Sequence, residues 1–143
     1  MEQGFSLIEL LIVFVITSIL ACIAYPSYCD YIIRVHRIDG QSALLDLANR
    51  MERFYATENS YQTATIGTGN TTDVLKHNVS PEGWYTLTIT QATDSTFTLQ
   101  ATPVHEQATR DTHCQSFTFN QLGIKGIAQG AAGAPTAGVA ECW

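Results

Sequence analysis

From Phe5 to Tyr25 the chain runs for 21 residues with a single charge, Glu9. At 1.5 Å of rise per residue, about 20 apolar residues cross a hydrocarbon core of roughly 30 Å. The first element is therefore predicted to be a membrane-length helix carrying a carboxylate one turn from its start. A charge at the centre of such a helix costs about 2.5–3.5 kcal/mol on insertion scales. Glu9 lies nearer the end, so its cost is smaller, and the carboxylate must either snorkel to the headgroups or find a partner.

Three kinds of N-terminal apolar segment compete for this stretch. A secretory signal peptide needs a basic n-region and an apolar core of 7–15 residues. Here Met1-Glu2-Gln3-Gly4 holds no Lys or Arg, and the apolar run is too long. Ile19-Leu20-Ala21-Cys22 loosely resembles a lipoprotein cleavage box. The missing basic n-region and the acid inside the hydrophobic stretch count against it. The third reading fits both features: Gly4-Phe5-x-x-x-Glu9 ahead of an apolar run resembles the class III signal of type IV pilins and pseudopilins.

That resemblance implies a leader of residues 1–4, removed by a prepilin peptidase that cuts between Gly4 and Phe5. The same enzyme would N-methylate Phe5, and Glu9 would become the fifth residue of the mature chain. Family leaders usually carry Lys or Arg and this one does not, so orientation rests on the motif and not on the positive-inside rule. Residues 5–28 would be the transmembrane and assembly helix, and 29–143 the globular domain.

Helical patterning resumes beyond Pro26, a residue that removes one helix hydrogen bond. Leu44, Leu47, Ala48, Met51, Phe54 and Tyr55 fall at steps of three or four, a face built to lie on another layer. Gly40 is a weak point costing about 1 kcal/mol relative to Ala. One helix from Phe5 to near Thr57 would be about 80 Å long, more than a chain of 143 residues can bury. Its first half needs a membrane or other copies of itself, and its second half becomes the spine of the domain.

From 58 to 83 turn signals dominate: Asn59-Ser60, Gly67-Thr68-Gly69-Asn70 and Ser80-Pro81-Glu82-Gly83. A connection this long is functional or holds a small element of its own. Period-two alternation follows. Tyr85, Leu87 and Ile89 alternate with threonines, as do Phe97, Leu99 and Ala101 with Thr98, Gln100 and Thr102, and Phe117 and Phe119 with Thr118 and Asn120. Ile124 to Ile127 reads as a fourth strand, placing the sheet at about 84–128. The expected fold is α+β: a long N-terminal helix packed on a four-stranded antiparallel sheet.

This order of elements again resembles the type IV pilin, and Tyr85-Thr86-Leu87, Ala101-Thr102-Pro103 and Cys142-Trp143 look like the smaller a-class and minor pilins. In that family a disulfide bounds the C-terminal region, here 114–142, and Cys114 and Cys142 match the pair. Such a bond would close a loop of about 28 residues, worth roughly 3–4 kcal/mol in the chain-entropy model, and would imply an oxidising compartment. The alternative is two free buried thiols. Without a tie at Cys142 the Ala- and Gly-rich tail from Gly130 to Gly138 would be floppy. Cys22 and Cys29 carry no role that spacing assigns.

The resemblance implies assembly and not catalysis. Between staggered copies, Glu9 of one would meet the Phe5 amine of the next, since a carboxylate and an amine in a dry bundle are far cheaper paired than alone. Expected partners are other pilin subunits, the prepilin peptidase and the inner-membrane assembly machinery. The chain would wait in the inner membrane as a single-pass protein and then join an extracellular filament serving adhesion, twitching motility or DNA uptake. Arg34, His36 and Arg37 are placed to meet headgroups or a neighbour's acids. Two alternatives stand beside this reading: a DNA-binding or minor competence pilin, and a type II secretion pseudopilin.

The net charge of −6, or −5 once Glu2 leaves with the leader, is a poor prior for nucleic acid. The distal basic residues Lys76, Arg110 and Lys125 are few for counterion-driven binding. As an enzyme site the sequence offers His113-Cys114 with His105 and Asp111, which match no common zinc spacing. No cofactor, metal or catalytic residue is expected. Trp84 and Trp143 read as core or lid aromatics.

Overall fold

The computed structural model describes residues 6–143. Helix α1 spans Leu7–Glu58, 52 residues, with Pro26 inside it. It ends where Asn59 turns into the left-handed region (φ 54°), its N–H reaching the Tyr55 carbonyl at 2.8 Å. Asn is among the few side chains that accept this cap conformation. Two compact units divide the chain after Arg34.

Within the second unit, α1 buries Asp39, Gly40, Ala43, Leu44, Leu47, Ala48 and Met51. Phe54 and Tyr55, expected on the same face, are partly buried against the core. The face reaches further back than the apolar pattern suggested, because Gly40 admits an aromatic ring. A Cβ there would stand 2.7 Å from ring atoms of Tyr85, which is itself fully buried.

The main sheet is an antiparallel meander in which each strand pairs with the next: β3 (Tyr85–Ala92), β4 (Phe97–Pro103), β5 (Ser116–Asn120) and β6 (Lys125–Ala128). Leu87 lies opposite Ala101, Leu99 opposite Phe119, and Phe117 opposite Ile127. A bulge between Ile89 and Gln91 shifts the register at the end of β3. Tyr85, Leu87, Phe97, Leu99, Ala101 and Phe117 form one core with Leu44, Leu47 and Met51. Each large side chain fully buried there contributes about 1.5–3 kcal/mol.

The stretch between α1 and β3 does hold an element of its own. β1 (Thr65–Ile66) and β2 (Asp73–Leu75) pair in parallel. Asp73 closes their connection by accepting from Thr65 Oγ1 at 2.6 Å, Thr68 Oγ1 at 2.7 Å and the Gly69 N–H at 2.7 Å. These bonds, that from Thr65 foremost, hold its carboxyl down to about 2. Tyr61 anchors the start of the loop, stacked on Tyr55 at 4.6 Å and edge-on to Phe97 at 4.9 Å. Its hydroxyl donates to Glu52 at 3.1 Å, and burial pushes the phenol up to about 12. Asp39 fixes the far end, accepting from Ser80 Oγ at 2.5 Å and from the Glu82 N–H at 3.1 Å.

Two short helices complete the unit, α2 (His105–Arg110) and α3 (Val139–Cys142). The Cys114–Cys142 disulfide is present. The tail is held by more than that bond. Thr136 and Ala137 donate their N–H groups to the His113 carbonyl, and Trp143 Nε1 donates to the Gly126 carbonyl at 2.8 Å.

Candidate functional site

The first half of α1 presents its side chains to the outside. Every large apolar residue from Leu7 to Ile23 is about half or more exposed. An 18-residue window of the helix reaches a mean hydropathy of 2.8 with none of it buried, so the helix is long and apolar enough to cross a membrane. Its polar side chains are adapted to that: Thr17 and Ser18 return their hydroxyls to the carbonyls of Val13 and Val15, each at 2.8 Å. The Glu9 carboxylate sits in the first turn and makes no hydrogen bond or ion pair among the described residues. Gly4 and Phe5, the expected cleavage and methylation positions, lie outside the described residues. Cys22 and Cys29 are free thiols.

The residues around Asp111 form a buried ion pair with its own hydrogen-bond network. Asp111 has no exposed side chain and takes Arg37 in a two-pronged grip, Nε to Oδ2 at 2.7 Å and Nη2 to Oδ1 at 2.8 Å. Its Oδ1 also accepts the Cys114 N–H, and its Oδ2 accepts Gln107 Nε2. The bond to Asp111 raises the Arg37 guanidinium above its ordinary value against the opposing cost of burial. Gln107 extends the network by donating to the Tyr85 hydroxyl at 3.2 Å, and burial pushes that phenol up. On its other side Gln107 accepts from His36 Nδ1 at 3.1 Å, and the His36 ring stacks on Trp84 at 3.8 Å.

Arg37 and His36, expected to reach headgroups or a neighbour's acids, are therefore spent inside the globular unit. No sequence pattern links Arg37 with Asp111, since 74 residues separate the two. His113 shares a hydrogen bond with Thr136, and His105 meets Trp84 edge-on. No group of three metal-ligating side chains occurs among the described residues.

The remaining cations distribute unevenly. Arg110 pairs with Glu106 at 3.2 Å, and Lys125 lies 5.0 Å over the Trp143 ring. Arg50 pairs with Asp46 at 2.7 Å on the exposed side of α1. The side chains of Arg53 and Lys76 make no ion pair among the described residues.

A half-exposed apolar helix continuing into the spine of a four-stranded antiparallel sheet, with a disulfide-closed C-terminal region, defines the fold of a type IV pilin. The solved structure of the non-core minor pilin PilV of Neisseria meningitidis shares it: TM-score 0.51, 22% identity, 73% of this chain and 95% of that one covered. Residues 1–25 match the prokaryotic N-terminal methylation motif. The chain belongs to the family described as type IV minor pilin ComP, DNA uptake sequence receptor, whose model matches residues 26–118. A type IV major fimbrial protein, FimA of Dichelobacter nodosus, is 50% identical over 42 residues, 29% of this chain. That match spans only about a quarter, 26%, of the relative's own length. Family and fold are those of structural, non-enzymatic proteins.

Proposed function

We propose that this chain is a minor subunit of a type IV pilus that adds a DNA contact to the filament. The observation that carries the proposal is the family match over residues 26–118, which covers most of the globular unit. It favours the reading that the acidic net charge alone disfavoured.

The N-terminal half supplies anchorage and assembly. Residues 1–4 are the leader, cut after Gly4 by the prepilin peptidase, and Phe5 carries the methyl group. The exposed run of α1 holds the chain in the inner membrane and afterwards fills the core of an extracellular filament, through contact with other pilins and the assembly machinery. Glu9, with no partner among the described residues, pairs with the Phe5 amine of a neighbour and sets register, as a buried polar residue does in a coiled coil. Residues 5–28 are the assembly segment and 29–143 the globular domain.

Deleting the gene in a transformable host tests the role. Abundant filaments with DNA uptake lost fit a minor receptor subunit, whereas loss of the filaments themselves makes the chain a shaft or initiating component. Intact mass of the chain from sheared filaments should begin at N-methylated Phe5 and be two hydrogens light for the disulfide. A chain retaining Met1-Glu2-Gln3-Gly4 overturns the processing step.

A further inference from the structure

The three most exposed large aliphatic side chains of the second unit are Leu122 at 73%, Ile38 at 62% and Ile124 at 58%. Leu122 and Ile124 share the turn between β5 and β6. That turn is stiff: Asn120 Oδ1 accepts the N–H groups of both residues, each at 3.0 Å, and Gly123 between them is left-handed (φ 75°). Ile38 instead lines a groove of about 430 Å³ beside the start of β3, with Val35, Glu82 and Trp84. Lys125 follows Ile124 and is exposed, as is Glu82. Neither makes an ion pair among the described residues, although the Lys125 ammonium lies over the Trp143 ring.

The turn and the groove lie at opposite corners of the unit. β3 starts where Tyr85 meets Gly40 of α1 and ends where the Tyr61 N–H reaches the Thr93 carbonyl. Phe97 packs on Tyr61 at that second end, and its N–H donates to Gln121 Oε1, so the β5–β6 turn is there too. From Gly40 to Glu58, α1 puts about 27 Å between the two ends. The strand order β3-β4-β5-β6 adds three spacings of about 4.8 Å across the sheet. One chain cannot bring the turn to its own groove.

We infer that the β5–β6 turn of one copy seats in the groove of a second copy of this chain, Leu122 and Ile124 against Val35, Ile38 and Trp84, and Lys125 against Glu82. Three observations select this occupant. The most exposed aliphatic residues of the unit are divided between the two surfaces, so each covers the other. The charges beside them are opposite and unpaired. The turn is already held in shape, so docking forfeits little conformational freedom. The contact joins unlike surfaces displaced along and across the unit, so it does not close on itself and continues from copy to copy, as in a helical filament. It rests on the filament reading above and goes beyond it, since it places copies of this chain in contiguous runs and not singly.

The test uses sheared filaments of the native host, with the full-length chain carrying Cys22→Ala and Cys29→Ala so that new thiols stand alone. Ile38→Cys and Leu122→Cys are introduced singly and together, both at exposed positions that spare folding, and the filaments are oxidised with copper phenanthroline. The double variant should give a ladder of covalent dimers, trimers and longer species, and each single variant monomers. Dimers from a single variant mean that a surface meets its own copy, and overturn the contact. Monomers alone from the double variant, or an adduct with a different pilin, overturn it too and leave the minor-subunit reading standing. Absence of the parent chain from sheared filaments overturns the filament reading and this contact with it. Should the double variant fail to reach filaments, charge reversal decides. Glu82→Lys or Lys125→Glu alone should lower the amount of chain in filaments by roughly fivefold or more, and the two together should restore it to at least about half the wild-type level. A double reversal no better than either single one overturns the contact.

Discussion

The two halves of α1 obey one local rule and meet opposite fates. Leu11 and Ile12 are 58% and 50% exposed, while Leu44 and Leu47 are fully buried. Helical backbone runs through both. What differs is where the covering layer comes from. The second half finds it in this chain's own sheet, and so alternates apolar with polar residues around the helix. The first half carries apolar side chains all round, the pattern of a helix whose cover is supplied from outside. Local propensity decides that a helix forms, and the distribution of polar residues decides what it needs against it.

The comparison breaks most sharply at the one buried ion pair among the described residues, Arg37–Asp111. Asp111→Ala leaves Arg37 half-buried without its carboxylate and strips Gln107 and the Cys114 N–H of an acceptor. Breaking such a pair costs about 3–5 kcal/mol. Denaturant unfolding of the globular unit should register a loss of that order. A change below 1 kcal/mol would show that Arg37 escapes to solvent and that the clamp is ornamental.

Next comes a matched pair of truncations along the same helix. Leu47→Ala should destabilise the globular unit by about 2–5 kcal/mol through lost transfer energy and a cavity. Leu11→Ala should leave that unfolding transition where it is, and should instead lower retention in membranes and incorporation into filaments. Equal effects of the two changes on unfolding would mean that the halves are not covered by different agents.

Much of this division was legible beforehand. The 21-residue run with one acid, the three-and-four spacing from Leu44 to Met51 and the Thr-rich period-two segments each announce an element by its own periodicity. The alternation is clearest in β4, which buries every second residue, and in the first half of β3. What stayed hidden depends on partners far apart in sequence. Arg37 and Asp111 are separated by 74 residues, and Asp39 and Ser80 by 41, and no pattern within one element encodes either bond. The β1–β2 pair is two and three residues long, below the length at which alternation can be read. Gly40 looked like a flaw because its ring partner lies on another element.

That glycine gives the third prediction. Gly40→Ala improves helix propensity by about 1 kcal/mol. It also drives a methyl group to 2.7 Å from the ring of a fully buried tyrosine. Overpacking of this kind costs typically about 1–3 kcal/mol, so the net change should be destabilising, by roughly 1–2 kcal/mol, in the same unfolding assay. A stabilised variant would show that Tyr85 can give way, and that this end of the helix is packed less tightly than the Leu44–Met51 stretch.

The smallest effect distinguishes the loop from the core it lies beside. Asp73 holds the β1–β2 connection through charge and hydrogen bonds, not through burial, and its folded carboxyl titrates near 2 against an ordinary value of about 4. A depressed carboxyl contributes stability that is full above the unfolded value and is lost as the folded group protonates. Wild-type stability should therefore decline between pH 4 and pH 2 somewhat more steeply than that of Asp73→Asn. Because the group is only partly buried, the difference should be slight in global unfolding and clear in amide exchange at Gly69, whose N–H binds the carboxylate directly at 2.7 Å. Acid-accelerated exchange at Gly69 with no change at Leu99, buried in the centre of the sheet, would place the loop and the core in separate opening units. Exchange that rises together at both positions would join the loop to the core as one cooperative body.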